Sequence, residues 1–466
     1  MKKLLNWIIP VAFGLGLWFV PTPEGLTPQS WHLFAIFVAT IVGFITQPLP
    51  IGGVSIVVIT VAALTGTLKI SEGISGFANS AIWLIVGAFL FSRGFIKTGL
   101  GKRIAYNLIS AFGSSSLRLA YALALSDLIL APATPSNTAR VGGVIMPITT
   151  SLAKAFGSEP QDGPRKMGSF LMQSIYQVNT ITSAMFQTSM AGNTLVAALA
   201  LQSFGIGITW GDWAMAAIVP GIIALIIMPY FIYKVYPPEI KDAREAQQMI
   251  REELKGLGKM SFQEWVMLGV FILALVLWAT SQFTKLDATT VAFLGISILL
   301  ATGVLIWDDV KSEKGAWDTL VWMGTLMGFA GFLSKLGFIK WATLQVGGYI
   351  PEGSWVIAFV VAVLVNTYAH YVFASLTAHI SAMFVAFSAI AISAGAPPML
   401  TLLMIAFTSN LCMSLTHYAA GPSPVIFNTG YVPQNTWWKL GFFTSVINLI
   451  IFVGIGSVWM KLIGMW

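Results

Sequence analysis

Charge is what this sequence most lacks. Only 9% of its 466 residues are Asp, Glu, Lys or Arg, against roughly 25% in a soluble domain, and that deficit excludes a water-soluble fold for most of the chain. Cysteine is nearly absent: Cys412 stands alone, which rules out an intramolecular disulfide and any reading of redox compartment. Histidine is scarce too. His32, His370, His379 and His417 form no His-Glu-x-x-His arrangement, so no metal ligand set is legible and no catalytic metal or cofactor is expected. Nor does a stripe of Lys and Arg interleave with aromatics. The formal charge of +7 is scattered over short loops, which speaks against a nucleic-acid partner.

What the chain has in plenty is apolar runs, with 56% hydrophobic residues. A run of about 20 residues spans a bilayer, and hydropathy predicts about eleven spans, near 4–20, 31–47, 50–68, 81–99, 169–204, 213–236, 263–282, 288–306, 318–334, 398–413 and 440–463. The expected class is an all-α polytopic membrane protein. Met1-Lys2-Lys3 and the apolar run to Val20 lead into Pro21-Thr22-Pro23-Glu24-Gly25 without a small-x-small cleavage site, so this segment reads as a retained first helix, residues 1–28. Trp437 and Trp438, at a span edge, fit an interfacial aromatic belt.

The longest polar segment, 237–260, falls at the midpoint and reads as a helical linker between two halves, 29–236 and 261–466. Lys2, Lys3, Lys97, Lys102, Arg103, Arg118, Lys154, Arg165 and Lys166 mark short loops of the first half. The positive-inside rule then puts the N-terminus and the linker in the cytoplasm and the C-terminus outside. The halves echo each other. Trp83 falls on Trp322 and Ser136-Asn137-Thr138-Ala139 on Ser375-Leu376-Thr377-Ala378, both at an offset of 239, and Gly94-Phe95-Ile96-Lys97 falls on Gly337-Phe338-Ile339-Lys340 at 243. Two halves with odd numbers of spans sit in opposite orientation, the inverted-repeat plan of secondary transporters, with a substrate site at the repeat interface.

Two apolar stretches, 118–156 and 355–396, are broken midway. In the first, 126–140 packs Pro132 and Pro135 among Ser126, Thr134, Ser136, Asn137 and Thr138. An interior proline costs a helix about 3 kcal/mol, so a re-entrant hairpin with a polar tip is the better geometry than one helix. A plain loop of turn formers is the simpler alternative, although it does not need long apolar arms. The tip hydroxyls and amide offer oxygens to a cation and donors to a carboxylate. In the second, 368–379, Leu376 replaces the amide, and each tip carries a potentially cationic residue two positions after its threonine, Arg140 and His379. Ionisable groups inside a membrane cost about 2.5 to 3.5 kcal/mol and are functional candidates by default. A backbone-capping arginine and a neutral core histidine are the plainer readings. A second pair of breaks, 188–194 with Ser189, Gly192 and Asn193, and 414–424 with Thr416, His417, Gly421 and Pro422, would expose carbonyls and helix N-termini to charged ligands.

These motifs are recognisable. Ser136-Asn137-Thr138 with Ser189-Met190-Ala191-Gly192-Asn193, and Ser375-Leu376-Thr377 with Ser409-Asn410-Leu411 and Ser414-Leu415-Thr416-His417-Tyr418 to Gly421-Pro422, resemble the divalent anion/sodium symporter family, the INDY-like carboxylate transporters, in the branch of citrate/succinate and 2-oxoglutarate/malate exchangers. The resemblance covers nearly the whole chain. It implies a homodimer in the cell membrane, each protomer with about eleven spans and two re-entrant hairpins, working by an elevator motion without a cofactor. Carried over, Ser136, Asn137 and Thr138 hold one substrate carboxylate and Ser375 with Thr377 the other, while tips and breaks hold sodium ions in the symporters.

Leu376, Arg140 and His379 depart from the sodium-coupled pattern. A site that loses an amide oxygen and gains a nearby positive charge repels sodium, so the expectation is sodium-independent exchange of di- or tricarboxylates, with Arg140 and His379 as protein-borne counter-charge. A sodium-coupled symporter of the same fold is the nearest alternative, and uptake into vesicles without internal substrate discriminates the two. An enzyme needs a nucleophile with a base or a carboxylate pair, and Asp127 is a lone carboxylate near the first hairpin. A channel predicts conductance without counter-substrate.

Overall fold

The computed structural model describes residues 2–347 and 355–466; the side chains of Lys2 and Lys3 lie outside the described residues. Nine helices among them are long and apolar enough to cross a membrane, accompanied by the shorter apolar helices Asn6–Trp18, Ile51–Leu64 and Ala288–Ala301. The chain is a multi-pass, all-helical membrane protein. Local signals start and stop these helices. Thr27 accepts from the Ser30 N–H ahead of Pro28–Thr46, Asn79 caps Ser80–Thr98, and Ser261 with Glu264 closes a capping box on Phe262–Ala279. Gly99, at φ +76°, stops Ser80–Thr98 in the left-handed turn that glycine adopts without strain.

At the molecule's centre, every residue of helix Gly168–Met185 is buried, including Gln173, Ser174, Gln177, Asn179, Thr180, Thr182 and Ser183. So polar a helix is excluded from lipid and is wrapped by other helices instead, one of which is Pro398–Leu411, buried from Leu400 onward. The expected span 169–204 is therefore two helices, Gly168–Met185 and Ala191–Phe204, separated by a single 3₁₀ turn at Gln187–Ser189. The linker folds as Arg244–Gly256. An amphipathic helix, Leu100–Phe112, is one the hydropathy reading did not foresee, because Lys102 and Arg103 lower the hydropathy of its 13 residues.

The two interrupted stretches coincide element for element at the offset of 239. Helix Ser116–Leu130 matches Trp355–Ala369, the 3₁₀ turn Ala131–Ala133 matches His370–Val372, and the returning helices begin at Asn137 and Leu376. Their bases are far apart. The first hairpin starts where Ser115 bridges to Asp242 of the linker, and Ser158, just past its end, accepts from the Tyr431 hydroxyl. The second starts at Trp355, whose ring meets Trp466 at 6.1 Å. Between Tyr431 and Trp466 runs the helical segment Gln434–Leu462, 29 residues and about 43 Å long at 1.5 Å per residue, so the two bases adjoin opposite ends of that segment. The interfacial role expected of Trp437 does not hold: it is fully buried against Tyr176, ring centroids 4.5 Å apart.

Candidate functional site

The first hairpin breaks because Pro132 and Pro135 cannot continue a helix. After the break, the Ser136 hydroxyl accepts the Ala139 N–H at 3.1 Å and so caps the returning helix. This leaves Ser136 and Thr138 half-buried at the tip while Asn137 turns inward, its amide 3.5 Å from the Met413 sulfur. The second tip repeats the device: Ser375 accepts from the Ala378 N–H at 3.3 Å, with Ser375 and Thr377 half-buried.

Arg140 lies behind the first tip, 1% exposed. Its Nε donates to Asp127 Oδ1 at 2.9 Å, Nη1 to the carbonyls of Thr134 at 2.9 Å and Ser189 at 3.0 Å, and Nη2 to the hydroxyls of Thr182 at 3.3 Å and Ser183 at 3.2 Å. Asp127 also accepts from the Asn179 amide at 3.2 Å and from the Thr182 hydroxyl. The carboxylate that looked solitary in the sequence is thus the partner of Arg140, and the pair is neutral as a whole. The guanidinium ties the hairpin tip, through Thr134, to the first helix break, through Ser189. It is a fixed cation on backbone carbonyls rather than a free charge facing outward.

The second half solves the same problem with a different residue. His379 is fully buried, and neither ring nitrogen has a hydrogen-bond partner among the described residues. His370, in the turn before the tip, has its Nε2 2.9 Å from the carbonyl of Ala419 in the second break, and its ring lies 4.9 Å from that of His379. Arg140 and His379 share a repeat position but not a partner set: the guanidinium at 140 reaches the first break itself, whereas the second break is met by the imidazole at 370.

The breaks cross over. A Cβ at Gly421, in the second break, would lie 2.1 Å from Thr138 Oγ1 of the first tip, and a Cβ at Gly192, in the first break, would lie 2.5 Å from Ile380 Cδ1 of the second hairpin. The approach is tightest at Gly421, where the short Thr138 side chain has little room to give, whereas at Gly192 the neighbours are the flexible ends of Ile380 and Met190. Asn193 donates to the Ser183 and Phe186 carbonyls at 2.7 and 2.9 Å and accepts from Asn410 at 2.7 Å, joining the breaks. Ser189 caps the same carbonyls with its hydroxyl. The second break is a 3₁₀ turn, Cys412–Leu415, then an irregular stretch to Gly421 before the short helix that opens at Pro422. The carbonyls of Met413 and Thr416 take the Tyr176 hydroxyl. His417 accepts from Trp438 at 3.0 Å and packs on Phe427. Residues 416–421 therefore touch both tips, through Gly421 on Thr138 and through Ala419 on His370. The structure brings Asn137 to Met413 and Thr138 to Gly421, and it ties His379 to the second break through His370. Sequence reasoning did not single out His370, Tyr176, Thr182 or Ser183, and it set Asp127 aside; the signal available was an acid within 13 residues of a base in an apolar stretch.

The family described as the sodium:sulfate symporter transmembrane region matches residues 1–466, the whole chain. The chain belongs to this family. It is accordingly a transporter and not an enzyme. Similar proteins include the putative malate transporter YflS of Bacillus subtilis, 52% identical over all of this chain and 97% of that one. The chloroplastic dicarboxylate transporter 1 of Arabidopsis thaliana is 46% identical over 98% of this chain and 82% of its own, and the inner membrane protein YbhI of Escherichia coli is 39% identical over 100% and 99%. Among solved structures, the YdaH transporter of Alcanivorax borkumensis superimposes with a TM-score of 0.54 at 10% identity, covering 99% of this chain and 97% of that one, a likeness of fold alone.

Proposed function

We propose that this transporter exchanges small di- or tricarboxylates of the malate, succinate, 2-oxoglutarate and citrate class without sodium. The substrate class is supported by relatives whose names are malate and dicarboxylate transporters. Ser136, Asn137 and Thr138 hold one carboxylate and Ser375 with Thr377 the other, both tips resting on 416–421. Sodium independence rests on one observation in each half: Arg140 already occupies the carbonyls of tip and break, at Thr134 and Ser189, and His370 meets the second break at Ala419, where a coordinating cation would otherwise be needed to join tip to break. Arg140 and His379 then act from behind the tips. A carrier whose cations are built in has no ion gradient to draw on and moves only when loaded, which makes exchange its working mode.

Two inverted repeats are supported by the exact offset of the hairpins and by the placing of their bases at opposite ends of Gln434–Leu462. An elevator motion in a homodimer, with the N-terminus cytoplasmic and the C-terminus outside, completes the proposal. Its supporting feature is a cavity of about 800 Å³ between the unit carrying Gln187, Gln202 and Trp210 and the helices carrying Asn79, Trp278 and Lys285. Sodium-coupled symport is the second reading, favoured by the hydroxyls of Ser414 and Thr416, which have no partner among the described residues. Counterflow of labelled malate, succinate, 2-oxoglutarate and citrate, with and without sodium, tests the proposal. Equal counterflow in both, lost in Ser136→Ala and Thr377→Ala, is the expected result, and counterflow that needs sodium overturns it.

A further inference from the structure

The second hairpin and the second break bring together two imidazoles and a thiol. One ring nitrogen each of His370 and His379 and the sulfur of Cys412 lie within 4.8 Å of one another, and all three residues are buried. They come from the turn His370–Val372, the returning helix Leu376–Ser393 and the turn Cys412–Leu415. We propose that they form a binding site for a thiophilic d10 cation, Zn²⁺ or Cu⁺, which ties the second hairpin to the second break.

Three observations support the site. First, His370 has the tautomer fixed for ligation. With Nε2 donating to the Ala419 carbonyl at 2.9 Å, Nδ1 keeps its lone pair, and Nδ1 has no partner among the described residues. An imidazole that donates its other N–H to a carbonyl is the usual outer support of a metal-bound histidine. Second, both nitrogens of His379 are buried without a hydrogen bond, an arrangement that is costly unless something else accepts a lone pair. Third, two imidazoles and a thiol are the soft donor set that selects zinc or cuprous ion over sodium, magnesium or calcium. Binding takes the thiolate, so the Cys412 thiol proton leaves to solvent as the sulfur–metal bond forms.

The experiment uses tag-free, chelator-treated protein in detergent, titrated with Co²⁺ as a spectroscopic stand-in for zinc and then with Zn²⁺. Because Cys412 is the only cysteine, any thiolate-to-cobalt charge-transfer band reports this site. The expected result is a saturable band at one cobalt per chain, displaced by Zn²⁺, absent in Cys412→Ser and weakened at least tenfold in affinity in His379→Gln. His32→Gln, remote from the cluster, should titrate as wild type does. Zn²⁺ should also raise the unfolding temperature of wild type and not that of Cys412→Ser. No saturable band in wild type, or a band unchanged in His379→Gln, overturns the proposal. None of these readouts involves transport, so the site stands or falls separately from the exchange proposal.

Discussion

Replacing Arg140 with alanine should turn a sodium-indifferent protein into a sodium-responsive one. The guanidinium contacts five oxygens: Asp127 Oδ1, the carbonyls of Thr134 and Ser189, and the hydroxyls of Thr182 and Ser183. Deleting it leaves a buried carboxylate without its counter-charge, which costs about 3–5 kcal/mol. It also leaves those oxygens lining a space with one net negative charge, the donor chemistry of a hard cation. Sodium at a hundred times its dissociation constant would return about 2.7 kcal/mol, roughly half or more of the loss. The assay is equilibrium unfolding in denaturing detergent, in sodium against potassium and choline. Wild type should be indifferent to the ion, whereas Arg140→Ala should fall by several kcal/mol in choline, about 3–5 by the same reasoning, and recover a large part in sodium. Indifference of the variant to sodium, or equal stabilisation of wild type, would refute the view that Arg140 does a cation's work.

Gly421→Ala should destabilise by about 1–3 kcal/mol, as overpacking does, because its Cβ would sit 2.1 Å from Thr138 Oγ1; adding Thr138→Ala should restore the unfolding midpoint but not exchange, since the tip hydroxyl is gone. Asn193→Ala and Asn410→Ala, whose amides meet at 2.7 Å, should couple by about 0.5–3 kcal/mol in a double-mutant cycle, and additive effects would mean the breaks are not joined there. At Asp309, outside the spans, burial pushes the carboxyl up but is outweighed by the hydrogen bond from Lys97, the Ile306 N–H and the charges of Lys97 and Arg93, so its pKa lies below the ordinary value. Its contribution is therefore complete above the unfolded value of about 3.9 and vanishes as pH falls through the lower folded value. Asp309→Asn should be less stable at neutral pH with a flatter acid limb in a pH series of unfolding midpoints; an unchanged limb contradicts the assignment.

Much of the architecture could be read in advance because it is written in local pattern. Pro132 and Pro135 interrupt one arm, and the elements flanking Ser136-Asn137-Thr138 and Ser375-Leu376-Thr377 coincide at the offset that the sequence echo has. The interruptions between Met185 and Ala191 and between Leu411 and Pro422 fall where glycine and small polar residues stand in the sequence. What escaped depends on contacts between distant segments. Asp127 was dismissed as solitary because its partner, 13 residues on, is reached only after the chain has turned back at the tip. His379 was favoured over His370 by repeat position, but the ring that meets the break is that of His370, a contact that repeat alignment does not encode. Trp437 looked interfacial from its place at a span edge, and only the packing of Tyr176 shows it to be interior.

The central claim, exchange without sodium, is tested most directly by uptake of labelled malate into proteoliposomes that are either empty or preloaded with unlabelled dicarboxylate, each with and without a sodium gradient. Uptake confined to preloaded vesicles and unaffected by replacing sodium with choline is the predicted result. Accumulation in empty vesicles driven by inward sodium would contradict it.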